Sequence, residues 1–101
     1  MIKKILVIGG NGQLGNCFRK LAPDFEKEFE FNFTDSSTID ITNEDQVSEF
    51  INDYQPDFCI NASAYTAVDL AESETEKAYA VNADGVANLA QACKENNAVL
   101  I

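Results

Sequence analysis

Apolar and polar positions along this chain change period several times. "IKKILVIG" at 2–9 is a short run rich in Ile and Val, the composition of a strand buried on both faces. From Gly12 the spacing becomes helical. Leu14, Cys17, Phe18 and Leu21 fall at i, i+3, i+4 and i+7, one face of a helix that Pro23 ends. "FEFNF" at 29–33 alternates with period two, which predicts a strand near the sheet's edge with Phe29, Phe31 and Phe33 on one face. After a loop at 35–42, Val47, Phe50, Ile51 and Tyr54 return to helical spacing. Thr42 is the expected N-cap, and Glu44 and Asp45 suit the first turn. Pro56 separates that helix from a third strand, "DFCIN" at 57–61. A helix over 74–96 follows. Ser73 and Glu76 form its capping box, and Val86, Leu89, Ala90 and Cys93 mark its buried face. "AVLI" at 98–101 opens a fourth strand.

Strands alternating with helices must run parallel, with right-handed crossovers. The expected fold is α/β: a Rossmann-like doubly wound parallel sheet in three α/β/α layers, with about four strands. The sequence stops inside an apolar strand, so the expectation is the N-terminal part of a longer protein. The fourth strand would then leave an edge prone to self-association, and a homodimer is an expected partner.

Composition narrows the function classes. At 101 residues the chain is one domain, 1–101. Its 46% hydrophobic and 24% charged residues are ordinary for a globular protein, and the apolar runs argue against disorder. No run approaches the roughly 20 apolar residues of a membrane span, and the N-terminus lacks a signal peptide's cleavage site. Net charge is −10, from 17 acids and 7 bases, which disfavours nucleic acid and anionic membranes. Cys17, Cys59 and Cys93 form no CxxC pair and there is no His, so no zinc site is expected. Buried free thiols in a cytoplasmic protein are the simpler reading.

The candidate chemistry lies in "GGNGQLG" at 9–15, which leaves the first strand and opens the first helix. Gly9, Gly12 and Gly15 permit a tight turn, close backbone approach and close helix packing. The N–H groups around Gly12, Gln13 and Leu14 can hold a pyrophosphate at the positive end of the helix. No Gly-Lys-Ser/Thr follows, so this is not a Walker A loop. Asp35, 20 residues past Gly15 at the end of the second strand, can accept hydrogen bonds from a ribose diol. A structural glycine turn with an ordinary strand-end Asp is the alternative. Ser36 and Ser37 follow Asp35 with no Arg or Lys nearby in sequence, which predicts NADH over NADPH as cofactor.

The loop is GxxGxxG, one residue longer than GxGxxG. It resembles the extended branch of the short-chain dehydrogenase/reductase superfamily. "TD" at 34–35, "DIT" at 40–42 and above all "NASAYTAVDLAE" at 61–72 resemble the dTDP-4-dehydrorhamnose reductase family, a likeness that covers the whole chain. The resemblance implies that Asp40 and Ile41 contact the adenine ring. It implies that Ala62, Ser63, Ala64, Tyr65 and Thr66 line the cofactor, and that Asn82 lies near the active site. Plainer alternatives stand beside these. Asp40 can cap a turn, Asn61 and Asn82 can satisfy neighbouring backbone, and Tyr65 can be wall packing. Ser63 has no His to activate it as a nucleophile.

The family resemblance further implies hydride transfer from a nicotinamide, NADH or NADPH, to the 4-keto carbon of a dTDP-deoxysugar, with Tyr, Lys and Ser/Thr as catalytic groups. Those groups follow the family's fourth strand. This chain has no Tyr-x-x-x-Lys: Tyr54, Tyr65 and Tyr79 are followed four residues on by Phe58, Asp69 and Ala83. No catalytic residue is therefore expected in it, and the dTDP-sugar would be met by the remainder of the parent. An epimerase or dehydratase of the same branch, or a non-enzymatic NAD(P)-binding regulatory subunit, are the competing readings.

Overall fold

The computed structural model describes residues 2–10, 12–35, 37–62 and 75–101, with only the backbone course at 13 and 75–82. Its elements are β1 (Lys3–Ile8), α1 (Gln13–Leu21), a 3₁₀ turn (Ala22–Phe25), β2 (Phe29–Thr34), α2 (Glu44–Tyr54), β3 (Phe58–Asn61), α3 (Thr75–Glu95) and β4 (Val99–Leu100). All strand pairs are parallel, in the order β2-β1-β3-β4. This is the doubly wound Rossmann-like sheet that the alternation predicts.

The strand order decides which face each helix covers. β1 to β2 steps one way, and β2 to β3 to β4 steps the other. With right-handed connections, α1 falls on one face and α2 and α3 on the opposite one. The core divides accordingly. Leu6, Ile8 and Cys59 pack with Val47 and Ile51 of α2 and Leu89, Ala92 and Cys93 of α3. On the other face Ile5, Val7 and Ala62 pack with Phe29, Phe31, Phe33, Phe58 and Ile60.

The second face is thinly covered. Leu14 and Leu21 of α1 are exposed, as is Cys17, so the apolar stripe of α1 predicted as buried is largely in contact with solvent. An open groove of about 500 Å³ runs along Phe29, Phe31 and Phe33 beneath Arg19. Phe31 and Phe33 stack at 5.8 Å between ring centroids. Pro23 does not stop helical backbone abruptly; it sits inside the 3₁₀ turn that follows α1.

Two other expectations shift. The N-cap of α2 is Asn43, whose side chain accepts the Gln46 N–H at 3.1 Å; Thr42 is used elsewhere. On α3 the buried face is Gly85, Leu89, Ala92 and Cys93, while Val86 and Ala90 face outward. The predicted stripe is thus rotated by about one residue from the one observed. The proposed cap at Ser73 lies outside the described residues. Cys59 and Cys93 share one buried site between β3 and α3, where their mutual hydrogen bond and burial push the Cys59 thiol well above its ordinary range. No helix among the described residues is long and apolar enough to cross a membrane.

Candidate cofactor site

Three chain segments leave the sheet at one level. Ile8 is in register with both Thr34 and Asn61, the last residues of their strands. Gly9, Asp35 and Ala62 therefore emerge side by side. The Ala62 N–H donates to the Ile8 carbonyl at 2.8 Å and the Gly10 N–H to the Thr34 carbonyl at 2.6 Å, tying the three exits together. The order β2-β1-β3 reverses direction at β1, so the crevice between β1 and β3 is the switch point where parallel sheets bind ligands.

The glycine loop has the local geometry its residues allow. Gly9 has φ 79°, a left-handed conformation that L side chains disfavour. Its carbonyl accepts the Gly12 N–H at 3.1 Å. Gly12 caps α1 without a side chain, and the first turn carries no acid. The N-terminal N–H groups of α1 and its positive dipole end thus face the crevice with no acidic side chain in the helix's own first turn to oppose an anion. Gly15 fits for a steric reason: a Cβ there would lie 2.6 Å from the Gly10 Cα and the Gly9 oxygen. The Leu14 side chain is exposed, so only its backbone belongs to the turn.

Asp35 organises the turn after β2. Its Oδ1 accepts the Ser37 N–H at 2.9 Å, the Ser37 hydroxyl, and the Thr38 N–H at 3.2 Å. Its carbonyl accepts the N–H groups of Thr38 and Ile39. The carboxylate is thereby fixed level with Gly9, where a ribose diol can approach. Thr34, buried just before it, donates its hydroxyl to the Val7 carbonyl at 3.0 Å.

Asp40 caps its own turn. Its Oδ1 accepts the Thr42 hydroxyl at 2.6 Å and the Thr42 N–H at 3.0 Å, and these bonds, the hydroxyl first, hold its carboxyl below the ordinary value. Ile41 is pinned to α3: its carbonyl accepts Asn88 Nδ2 at 2.8 Å. Its side-chain end occupies the place where Gly85 would carry a Cβ. Gly85 and Asn88 are site-shaping residues that helical periodicity alone does not reveal, because neither is apolar.

Arg19 is the other residue missed. Its Nε donates to the Gly10 carbonyl at 2.8 Å, and its guanidinium lies 4.6 Å from the centroid of Phe33. The premise that no base lies near Asp35 thus holds along the sequence but not in space. A signal was available: Arg19 is four residues after Gly15, on the helix face turned toward the loop.

Ser63, Ala64, Tyr65 and Thr66 lie outside the described residues, as does the side chain of Asn82. Tyr54 sits at the opposite end of the sheet, where its hydroxyl donates to Glu30 Oε2 at 2.9 Å and Lys4 Nζ donates to its carbonyl. Burial, then Glu30, pushes its phenol well above the ordinary range, which ill suits a proton donor.

Residues 3–101 match the family described as RmlD substrate binding domain. The chain is 42% identical over 98 residues to the dTDP-4-dehydrorhamnose reductase of Aggregatibacter actinomycetemcomitans, covering 97% of this chain and 33% of that protein. It is 42% identical over 101 residues to the enzyme of the same name from Mycolicibacterium smegmatis, covering 100% and 30%. A crystal structure of dTDP-4-dehydrorhamnose reductase from Bacillus anthracis, in complex with NADP, superposes with TM-score 0.84 at 37% identity, covering 99% of this chain and 35% of that one. The chain spans about a third of the length of these relatives.

Proposed function

The chain belongs to the RmlD substrate binding domain family, and on that footing we propose that it is the nicotinamide-cofactor-binding part of a dTDP-4-dehydrorhamnose reductase. The observation that carries this is the convergence of Gly9, Asp35 and Ala62 around the N-terminus of α1, which no side chain caps. The backbone N–H groups of Gln13 and Leu14 hold the pyrophosphate, while the Gly12 N–H, expected from sequence to join them, is given to the Gly9 carbonyl and closes the turn. Asp35 accepts from the adenosine ribose, and Asp40 with Ile41 borders the adenine. The tight Gly15–Gly10 approach supports the fit, because it lets the helix end reach the ligand.

The bound cofactor supplies a hydride, and the whole enzyme reduces dTDP-4-dehydro-L-rhamnose to dTDP-L-rhamnose in nucleotide-sugar biosynthesis. The residues of this chain bind and orient. They offer no Tyr-x-x-x-Lys to protonate the alkoxide. Roughly 40% identity to named reductases supports this over an epimerase, a dehydratase or a regulatory subunit. Asp35 alone favours NADH, the preference expected from sequence; Arg19 works in the other direction.

Calorimetric titration tests the reading. Saturable binding of NADH or NADPH to the 101-residue chain, with no turnover of a dTDP-4-ketosugar, is the expected result. Flat traces for both dinucleotides would overturn it.

A further inference from the structure

We propose that Arg19 determines cofactor specificity by receiving the 2′-phosphate of NADPH. The inference rests on the cofactor reading above and adds to it a residue and a ligand group.

Among the described residues, contacts to the glycine loop and to β2 hold the guanidinium in place. Nε donates to the Gly10 carbonyl at 2.8 Å, and Cζ lies over the Phe33 ring, 4.6 Å from its centroid. Nη2 reaches further. It and the Thr34 carbonyl lie 3.1 and 3.2 Å from one common point, the place a Cβ on Gly10 would take. Thr34 directly precedes Asp35. Phe33 and Thr34 are the last two residues of β2, so the guanidinium lies at the strand end from which Asp35 leaves. The cation therefore stands at the level of the loop and next to the start of the Asp35 turn, where the adenosine ribose is expected.

A fixed guanidinium is suited to this role. It offers a planar fork to phosphate oxygens, and its stacked, hydrogen-bonded setting reduces the freedom lost on binding. It also offsets the carboxylate that would otherwise repel a 2′-phosphate. Arg19 could instead serve only as a brace for the loop. The two roles separate experimentally, since a brace affects every dinucleotide alike.

The test is titration of NADH and NADPH into the wild-type chain, Arg19→Gln and Arg19→Lys. Arg19→Gln is expected to weaken NADPH by about tenfold or more, the scale of one charge-assisted phosphate contact, and NADH by less than about twofold. Arg19→Lys, which keeps the charge but not the fork, should fall between wild type and Arg19→Gln for NADPH. Parallel loss of both dinucleotides, or unchanged NADPH binding in Arg19→Gln, overturns the inference alone. A wild-type chain that binds neither dinucleotide overturns the cofactor reading and this inference with it.

Discussion

Gly15 lies so close to Gly10 that a methyl group on it would sit 2.6 Å from the Gly10 Cα. The obstacle is backbone, which cannot swing aside as a side chain can. Gly15→Ala should therefore push α1 off the loop, at a cost of about 1–3 kcal/mol, and weaken dinucleotide binding by at least about tenfold. Thermal melting and calorimetry on the same variant check both halves. A variant with unchanged affinity would show that the helix end is not the anion site.

The Ile41 carbonyl depends on Asn88, 47 residues away in sequence. Asn88→Ala should remove about 1 kcal/mol of stability and loosen the segment that carries Asp40. Amide hydrogen exchange at 39–42 should accelerate while the β1 amides stay protected. Equal acceleration in both places would point to global destabilisation instead.

Asp40 gives a pH prediction with a definite sign. Its folded-state carboxyl titrates below the ordinary 3.8 because Thr42 donates to it twice. A depressed carboxylate adds stability above its unfolded pKa and loses it as pH falls through the folded one. The loop at 39–42 should thus loosen only in acid. Thr42→Val should move the Asp40 midpoint upward, measured by NMR titration of its carboxyl carbon. No movement would mean that the Thr42 hydroxyl is not the cause.

The element order was legible because each segment announces itself by period: two in "FEFNF", helical in "VSEFINDY", unbroken apolar in "ILVI" at 5–8. Gly9, Gly15 and Asp35 were legible because backbone freedom and strand-end position are local properties. What was hidden depends on contact between distant segments. Arg19 meets Gly10 and Phe33 only once α1 folds back on β1 and β2. Asn43 rather than Thr42 is the cap because the Asn43 Oδ1 accepts the Gln46 N–H while the Thr42 hydroxyl is turned to donate to Asp40, a choice that spacing cannot rank. The stripe on α3 was misplaced because Gly85, with no apolar side chain to mark it, faces inward to admit Ile41. The apolar face of α1 read as core from its period, yet it lies on the side of the sheet that the described residues barely cover.

β4 lies at the sheet's edge, with Val99 52% and Ile101 68% exposed. An edge of this kind offers unpaired backbone groups to a second strand. Sedimentation velocity should show concentration-dependent association, and Val99→Lys should reduce it by placing charge at that edge. A monomer at all concentrations would exclude edge pairing.

The three thiols, one on the surface and two packed between β3 and α3, turn this chain into its own gauge of opening. A thiol reagent should find Cys17 at once. It can reach Cys59 and Cys93 only when the α3 side of the sheet lifts away. The rate at which the second and third labels appear then times the separation of helix from strand. Because the reacting atoms lie on the face opposite Arg19 and Phe33, a dinucleotide that slows those labels would be doing so through the fold rather than by covering them.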